Sequence, residues 1–193
     1  MYRVTLICCE GKTEELYFKI LRDRIFRVPG FIKISIQGEK GQHRTLIDNA
    51  VAARAALAAA EAVDPEEIGS WAVCDDDGMA IPFSKLERYA EEAGVKLAFS
   101  RPQFESFLLQ HFEPSGETDQ AELYRLLALH KQSLGYEGAY EKGNLEWLER
   151  TLVDKPKLVN TAIVNADQRA RQASSPFFTV QGLVKYLKRL SRE

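Results

Sequence analysis

The chain has 193 residues, 45% of them hydrophobic and 28% charged, and a formal net charge of −2. That length and mix can bury one core of ordinary size, and they exclude both a disordered chain and a disulfide-stapled miniature. The near-neutral charge provides no global pull on a polyanion, so a nucleic-acid partner has to be met by local basic patches or metal ions.

In chain order, residues 3–9 form a short apolar, β-branched run that predicts a buried strand. Residues 13–27 follow with helical spacing through Leu16, Phe18, Ile20, Leu21 and Ile25. After Pro29-Gly30, residues 31–36 alternate apolar and polar as a half-exposed strand does, and Gly38-Glu39-Lys40-Gly41 makes a loop. The Ala-rich stretch 44–63 is a strong helix former that stops before Pro65. Residues 68–74 predict a third strand, 84–93 a helix closed by Gly94, and 95–99 a fourth strand. Helical patterns then dominate at 104–112, 121–134, 145–151, 157–173 and 180–190. Strands alternating with helices imply parallel pairing with right-handed crossovers. The expectation is therefore an α/β fold of Rossmann-like character: a mainly parallel sheet flanked by helices over residues 1–113, with a helical extension over 114–193 packed on it.

No apolar run approaches the ~18 residues of a membrane span, and the N-terminus lacks the pattern of a signal peptide, so a cytoplasmic protein without a membrane partner is expected. Cys8, Cys9 and Cys74 form an odd set without CxxC spacing and are expected to be reduced, buried strand residues.

Chemistry concentrates where the predicted strands end, because loops at the C-terminal edge of a parallel sheet converge on a crevice. Glu10 leaves the first strand, Gly11 permits a tight turn, and Glu14 lies one helical turn on. After the third strand comes Asp75-Asp76-Asp77-Gly78, where alternation along an extended backbone sends Asp75 and Asp77 to one side and Asp76 to the other. Successive carboxylates repel, and a bound cation relieves the repulsion. Mg²⁺ favours a few carboxylates plus water and phosphate oxygens, which makes Glu10, Asp75 and Asp77 a minimal set. The bland readings are a helix N-terminus favouring acids and a solvated Asp-Gly turn. After the fourth strand, a helix beginning near Pro102 turns Phe104, Phe107, Leu108 and Phe112 to the core and leaves Glu105 in its first turn, within reach of the crevice. His111 reads as a packed or capping histidine more readily than as a ligand, and His43 and His130 carry weaker signals.

The run Cys9-Glu10-Gly11-Lys12-Thr13-Glu14-Glu15-x-Tyr17-Phe18, then Asp75-x-Asp77, then Ser100-x-Pro102-x-Phe104-Glu105-x-Phe107-Leu108-x-x-His111-Phe112 resembles the RloB family, whose members carry a Toprim-like domain. The resemblance spans most of the chain and extends to Tyr140-Glu141-Lys142 and to residues 165–190. It implies a Toprim-like core and, through similarity to the overcoming-lysogenization-defect nucleases, a two-metal site using Mg²⁺ or Mn²⁺. Glu10 and Glu14 would hold one ion and Asp75 and Asp77 the other, with Glu105 completing the shell. It also implies a catalytic lysine, for which Lys142 is the choice and Lys131, Lys155 and Lys157 remain competitors. The implied activity is nucleic-acid phosphodiester hydrolysis in phage defence or restriction, beside a partner ATPase, with DNA or RNA as substrate and self-association left open. Arg44, Arg101, Lys155, Lys157, Arg169 and Arg171 are candidates to hold flanking phosphates, although for each alone a solvated surface role is the simpler reading. Gly11-Lys12-Thr13 lacks the upstream glycine of a Walker A loop, so ATP binding by this chain is not expected. The rival from another class is a non-catalytic adaptor or regulator of a partner ATPase.

Overall fold

A computed structural model describes residues 4–172 and 176–192, with backbone alone for 170–172. The expected strand start at Arg3, the helix end at Ala173 and the side chain of Arg171 lie outside the described residues.

Five strands, β1 (Val4–Cys9), β2 (Lys33–Gln37), β3 (Ile68–Asp75), β4 (Lys96–Arg101) and β5 (Phe177–Phe178), form one sheet in the order β2-β1-β3-β4-β5. The first four run parallel and β5 pairs antiparallel with β4. The connections are α1 (Lys12–Ile20), α2 (His43–Glu61) and α3 (Phe83–Glu92), and the C-terminal region adds α4 (Phe104–Leu109), α5 (Gln120–Ser133), α6 (Glu146–Asp154), α7 (Lys157–Gln172) and α8 (Gln181–Leu190). This is the α/β arrangement expected from the alternating pattern. Among the described residues, no helix is long and apolar enough to cross a membrane.

Every residue of β1 and β3 is buried, as continuous apolar runs covered on both faces require. Side chains alternate faces along a strand, so Ile7, Cys9, Trp71 and Val73 enter one core with α1 and the C-terminal helices. Leu6, Cys8, Ala72 and Cys74 enter the other, against Leu46 and Ile47 of α2 and Leu86 of α3. All three cysteines are free and buried. β2, at the sheet's edge, keeps the half-exposed pattern that its alternation predicts.

Two features depart from the expected elements. The helix expected over 13–27 is α-helical only to Ile20 and then widens into a π turn over Leu21–Ile25. β5 falls within Pro-Phe-Phe-Thr, where a two-residue strand is too short to show any periodicity. It exists because Ser100 and Arg101 extend β4 beyond its expected end and pair with Phe178 and Phe177. Thr179 secures the junction: its Oγ1 accepts from Phe99 N–H and donates to Leu97 O. The C-terminal region thus contributes a strand to the sheet and shares the core of α1.

The chain runs from β1 outward to β2, then returns past β1 to β3. The direction of winding therefore reverses between β1 and β3, which opens a crevice at their C-terminal ends.

Candidate metal centre

Glu10 and the Asp75–Asp77 turn leave the two strands that flank this reversal. Glu10 N–H donates to Val73 O at 2.9 Å, which pins the end of β1 against β3. One carboxylate oxygen from each of Glu10, Asp75 and Asp77 lies within 4.8 Å of the others. Asp76 points elsewhere, as alternation predicts, and meets Arg101 through two contacts of 3.0 and 3.3 Å. Arg101 is thereby committed to a carboxylate and not left for a flanking phosphate.

Glu14 and Glu105 border this triplet. Glu14 is buried on the first turn of α1, and its carboxylate lies against Gly11: a Cβ at position 11 would fall 2.9 Å from Glu14 Oε2. A side chain at position 11 would have to displace that carboxylate, while the Gly11 backbone itself is extended and unstrained. Glu105, on the first turn of α4, is 1% exposed. Its Oε1 accepts from Tyr140 Oη at 2.9 Å, and its Oε2 faces Lys142 Nζ at 3.7 Å.

The electrostatics are those of an uncompensated acidic pocket. Burial, then the charge of Asp75, pushes Glu10 up to about 7. Burial likewise raises Glu14 to about 7 and Asp75 to about 6, with neighbouring carboxylates adding to both shifts. Burial opposes the charge on Lys142, yet Glu105, Tyr124 and Asp75 outweigh it and raise its pKa. Glu10 Oε2 and Glu105 Oε2 are buried without a hydrogen-bond partner. Orphaned carboxylate oxygens at a sheet's switch point, in an all-oxygen donor set, fit a hard divalent cation such as Mg²⁺ or Mn²⁺.

Of the lysines in competition, Lys142 stands beside Glu105. Lys131 donates to Ala139 O, and Lys155 and Lys157 are exposed around the α6–α7 junction. Arg44 lies over the Tyr89 ring at 4.9 Å, and Arg169 donates to Pro114 O. His111, expected as packed or capping, is fully buried, 3.0 Å from Tyr17 Oη and 2.9 Å from Leu108 O, with burial lowering its pKa to about 4. His130 stacks on Phe112. His43, at φ +47, meets Asp75 O at 3.3 Å. Thr13 Oγ1 accepts from Gly143 N–H and Lys12 pairs with Glu15, so the Gly11-Lys12-Thr13 run is occupied within the protein.

Two residues at the cluster escaped the sequence reading. Gln42, in the loop after β2, donates to Asp77 Oδ2 at 3.3 Å and, from its amide, partly offsets the rise in the Glu10 pKa. Its one signal was position at a strand's C-terminal edge. Tyr140 lay within a recognised motif but had no role until its hydroxyl was seen on Glu105. Tyr140→Phe removes only that donor and leaves both Glu105 oxygens unsatisfied. The expected cost is about 1–3 kcal/mol in urea unfolding, together with weaker Mn²⁺ binding by calorimetry. A variant matching wild type in both would show the bond to be idle.

No curated protein and no solved structure matches the chain. Among family models, that of the RloB-like proteins matches residues 5–187, almost the full length and including every member of the acidic cluster. The chain belongs to the RloB-like protein family.

Proposed function

We propose that the chain is a divalent-metal-dependent nuclease of Toprim type that hydrolyses nucleic-acid phosphodiester bonds, working with a partner ATPase in phage defence. The observation that carries this reading is the convergence of Glu10, Asp75 and Asp77 within 4.8 Å at the switch point of the sheet. Glu10, Asp75 and Asp77 would hold the metal, with Glu14 and Glu105 at its border. When bound, divalent cations neutralise charge on the phosphate and lower the pKa of water.

The protein's own groups supply the rest. Glu14, held near a pKa of 7 and outside the tight triplet, is suited to accept the proton of the attacking water on its carboxylate. Water oxygen bonds to phosphorus as the bond to the leaving oxygen breaks, and that oxygen takes up a proton. Lys142 keeps its positive charge beside Glu105 and Asp75 and is placed to balance charge growing on the phosphate oxygens. Tyr140 fixes the Glu105 carboxylate, and Gly143 ties the segment carrying Tyr140 and Lys142 to Thr13 at the start of α1.

Purified protein incubated with plasmid DNA and with RNA, in Mg²⁺ and in Mn²⁺, with and without the partner ATPase, tests the reading. Cleavage that chelator abolishes, and that Lys142→Ala slows at least tenfold, is expected. Failure to cut either nucleic acid under every condition would leave the chain an adaptor.

A further inference from the structure

A cavity of about 410 Å³ opens directly on the acidic cluster. Its lining joins the Asp75–Gly78 turn to Gln103, Thr118, Gln120 and Lys142. One side is thus the metal-binding turn itself, and the remainder is mostly neutral hydrogen-bonding side chains from the entrances of α4 and α5. Asp76 is balanced by Arg101, and Glu105 Oε2, 1% exposed and without a hydrogen-bond partner, faces the Lys142 ammonium at the cavity's margin. A second cavity, of about 400 Å³ beside Leu16, Asn144 and Glu149, includes none of the cluster's carboxylates.

Whatever is joined to a phosphate at Asp75 and Asp77 has this cavity as its neighbour. Its volume lies near the lower end of the ~300–1,000 Å³ range of small-molecule pockets, enough for one nucleoside and too little for stacked base pairs. Within the cluster Asp75 is recessed, only 7% exposed, below an exposed Asp77. In a duplex the bases are stacked away from such a recess, so a nucleotide must leave the stack to bring its phosphate to the carboxylates and its base into the cavity. Glutamine and threonine supply both donors and acceptors for base edges. Among the described residues the lining contains no aromatic ring, so recognition here rests on hydrogen bonds and not on stacking.

We propose that this cavity receives one unstacked nucleoside of a single-stranded nucleic acid, adjoining the phosphate at the acidic cluster. The proposal rests on the nuclease reading for that phosphate. Single strands, loops and ends are therefore the preferred substrates, since they enter without unpairing.

Fluorescence anisotropy tests this on the full chain with Ca²⁺ in place of Mg²⁺, using a fluorescein-labelled single-stranded octanucleotide (DNA and RNA), a blunt duplex of the same sequence, and AMP as competitor. The single strand is expected to bind at least tenfold more tightly than the duplex. Thr118→Trp, which fills the cavity from an exposed loop position, is expected to remove at least tenfold of that affinity while leaving the melting temperature near wild type. Gln120→Ala, with no new bulk to accommodate, is expected to weaken the single strand several-fold. Equal or tighter duplex binding, or unchanged affinity in both variants, overturns the proposal. AMP binding as tight as the octanucleotide would also overturn it, making the cavity a mononucleotide site. Mg²⁺-dependent cleavage by wild type is scored separately: single-strand binding without cleavage would count against the nuclease reading and leave the cavity's assignment standing.

Discussion

Asp75→Asn is expected to abolish metal-dependent cleavage, by at least about 10³-fold, while making the metal-free protein melt higher than wild type at pH 8. Both effects follow from the same charge. The Asp75 carboxylate is 7% exposed and raises the pKa values of Glu10 and Glu14, so three acids ionise at pH 8 against burial and one another. Asparagine keeps an oxygen where Asp75 Oδ1 accepts from Asp77 N–H, so the turn retains its bond. What disappears is the repulsion and the anionic ligand. A gain of about 1–2 kcal/mol, or roughly 2–8 °C for a chain of this size, is expected in melts run with chelator. An acid whose removal stabilises the fold marks a pocket held under electrostatic stress. A variant that cuts within tenfold of wild type, or that melts lower, contradicts this account of the cluster.

The second large effect is the dependence of stability on pH and metal together. Glu10 and Glu14 rise from 4.5 to about 7 in the folded chain, and Asp75 from 3.8 to about 6. Folded protein therefore holds more protons than unfolded protein between about pH 4 and 8. Stability falls as pH rises through that window, because each carboxyl must ionise in a buried, like-charged setting. Allowing for coupling among the groups and for water reaching Glu10, the cluster's total is of order 3 kcal/mol. Glu15 has the opposite sign: hydrogen bonds from Lys19 and Lys12 lower its pKa, so its contribution is present above the unfolded value and lost on acidification. Comparing wild type with Asp75→Asn across the pH series isolates the cluster from such groups. Mn²⁺ at about 100 times its dissociation constant should stabilise the protein by about 2.7 kcal/mol at pH 8, raising the melting temperature by roughly 5–10 °C. At pH 5 protons compete for the same oxygens, and the shift should nearly vanish. A metal-induced shift of equal size at both pH values, or one retained in Asp75→Asn, would place the ion elsewhere.

Much of this is legible in the sequence. The β-branched runs at β1 and β3 are apolar throughout because both faces of a central parallel strand are covered, and the alternation in β2 marks an edge. Those patterns are local, so a linear string carries them. The same alternation separated Asp76 from Asp75 and Asp77, and the pairing of Asp76 with Arg101 follows it. His111, read as a packed or capping histidine, lies in the turn just past α4 and is fully buried.

What the string could not carry were contacts set by distant closures. β5 has too few residues for a period, and its pairing depends on where the last helix brings the chain back to β4. Tyr140 reaches Glu105 across 35 residues, and Gln42 reaches Asp77 across the same separation. Glu10, Asp75 and Asp77 were expected together from their places at strand ends, but their approach within 4.8 Å is set by the sheet, which lays β1 beside β3. Which of the four lysines stands beside Glu105 was likewise not in the string: folding places Lys142 there and engages Lys131 at Ala139.

The sequence by itself determined which residue types end each strand and which way their side chains alternate, because backbone geometry fixes both locally. Only the tertiary structure decided that those ends meet at a reversal of winding, and that a segment 65 or more residues further on closes one side with Tyr140 and Lys142. Proximity there depends on strand order and on how the helices pack, and neither is encoded at any single position.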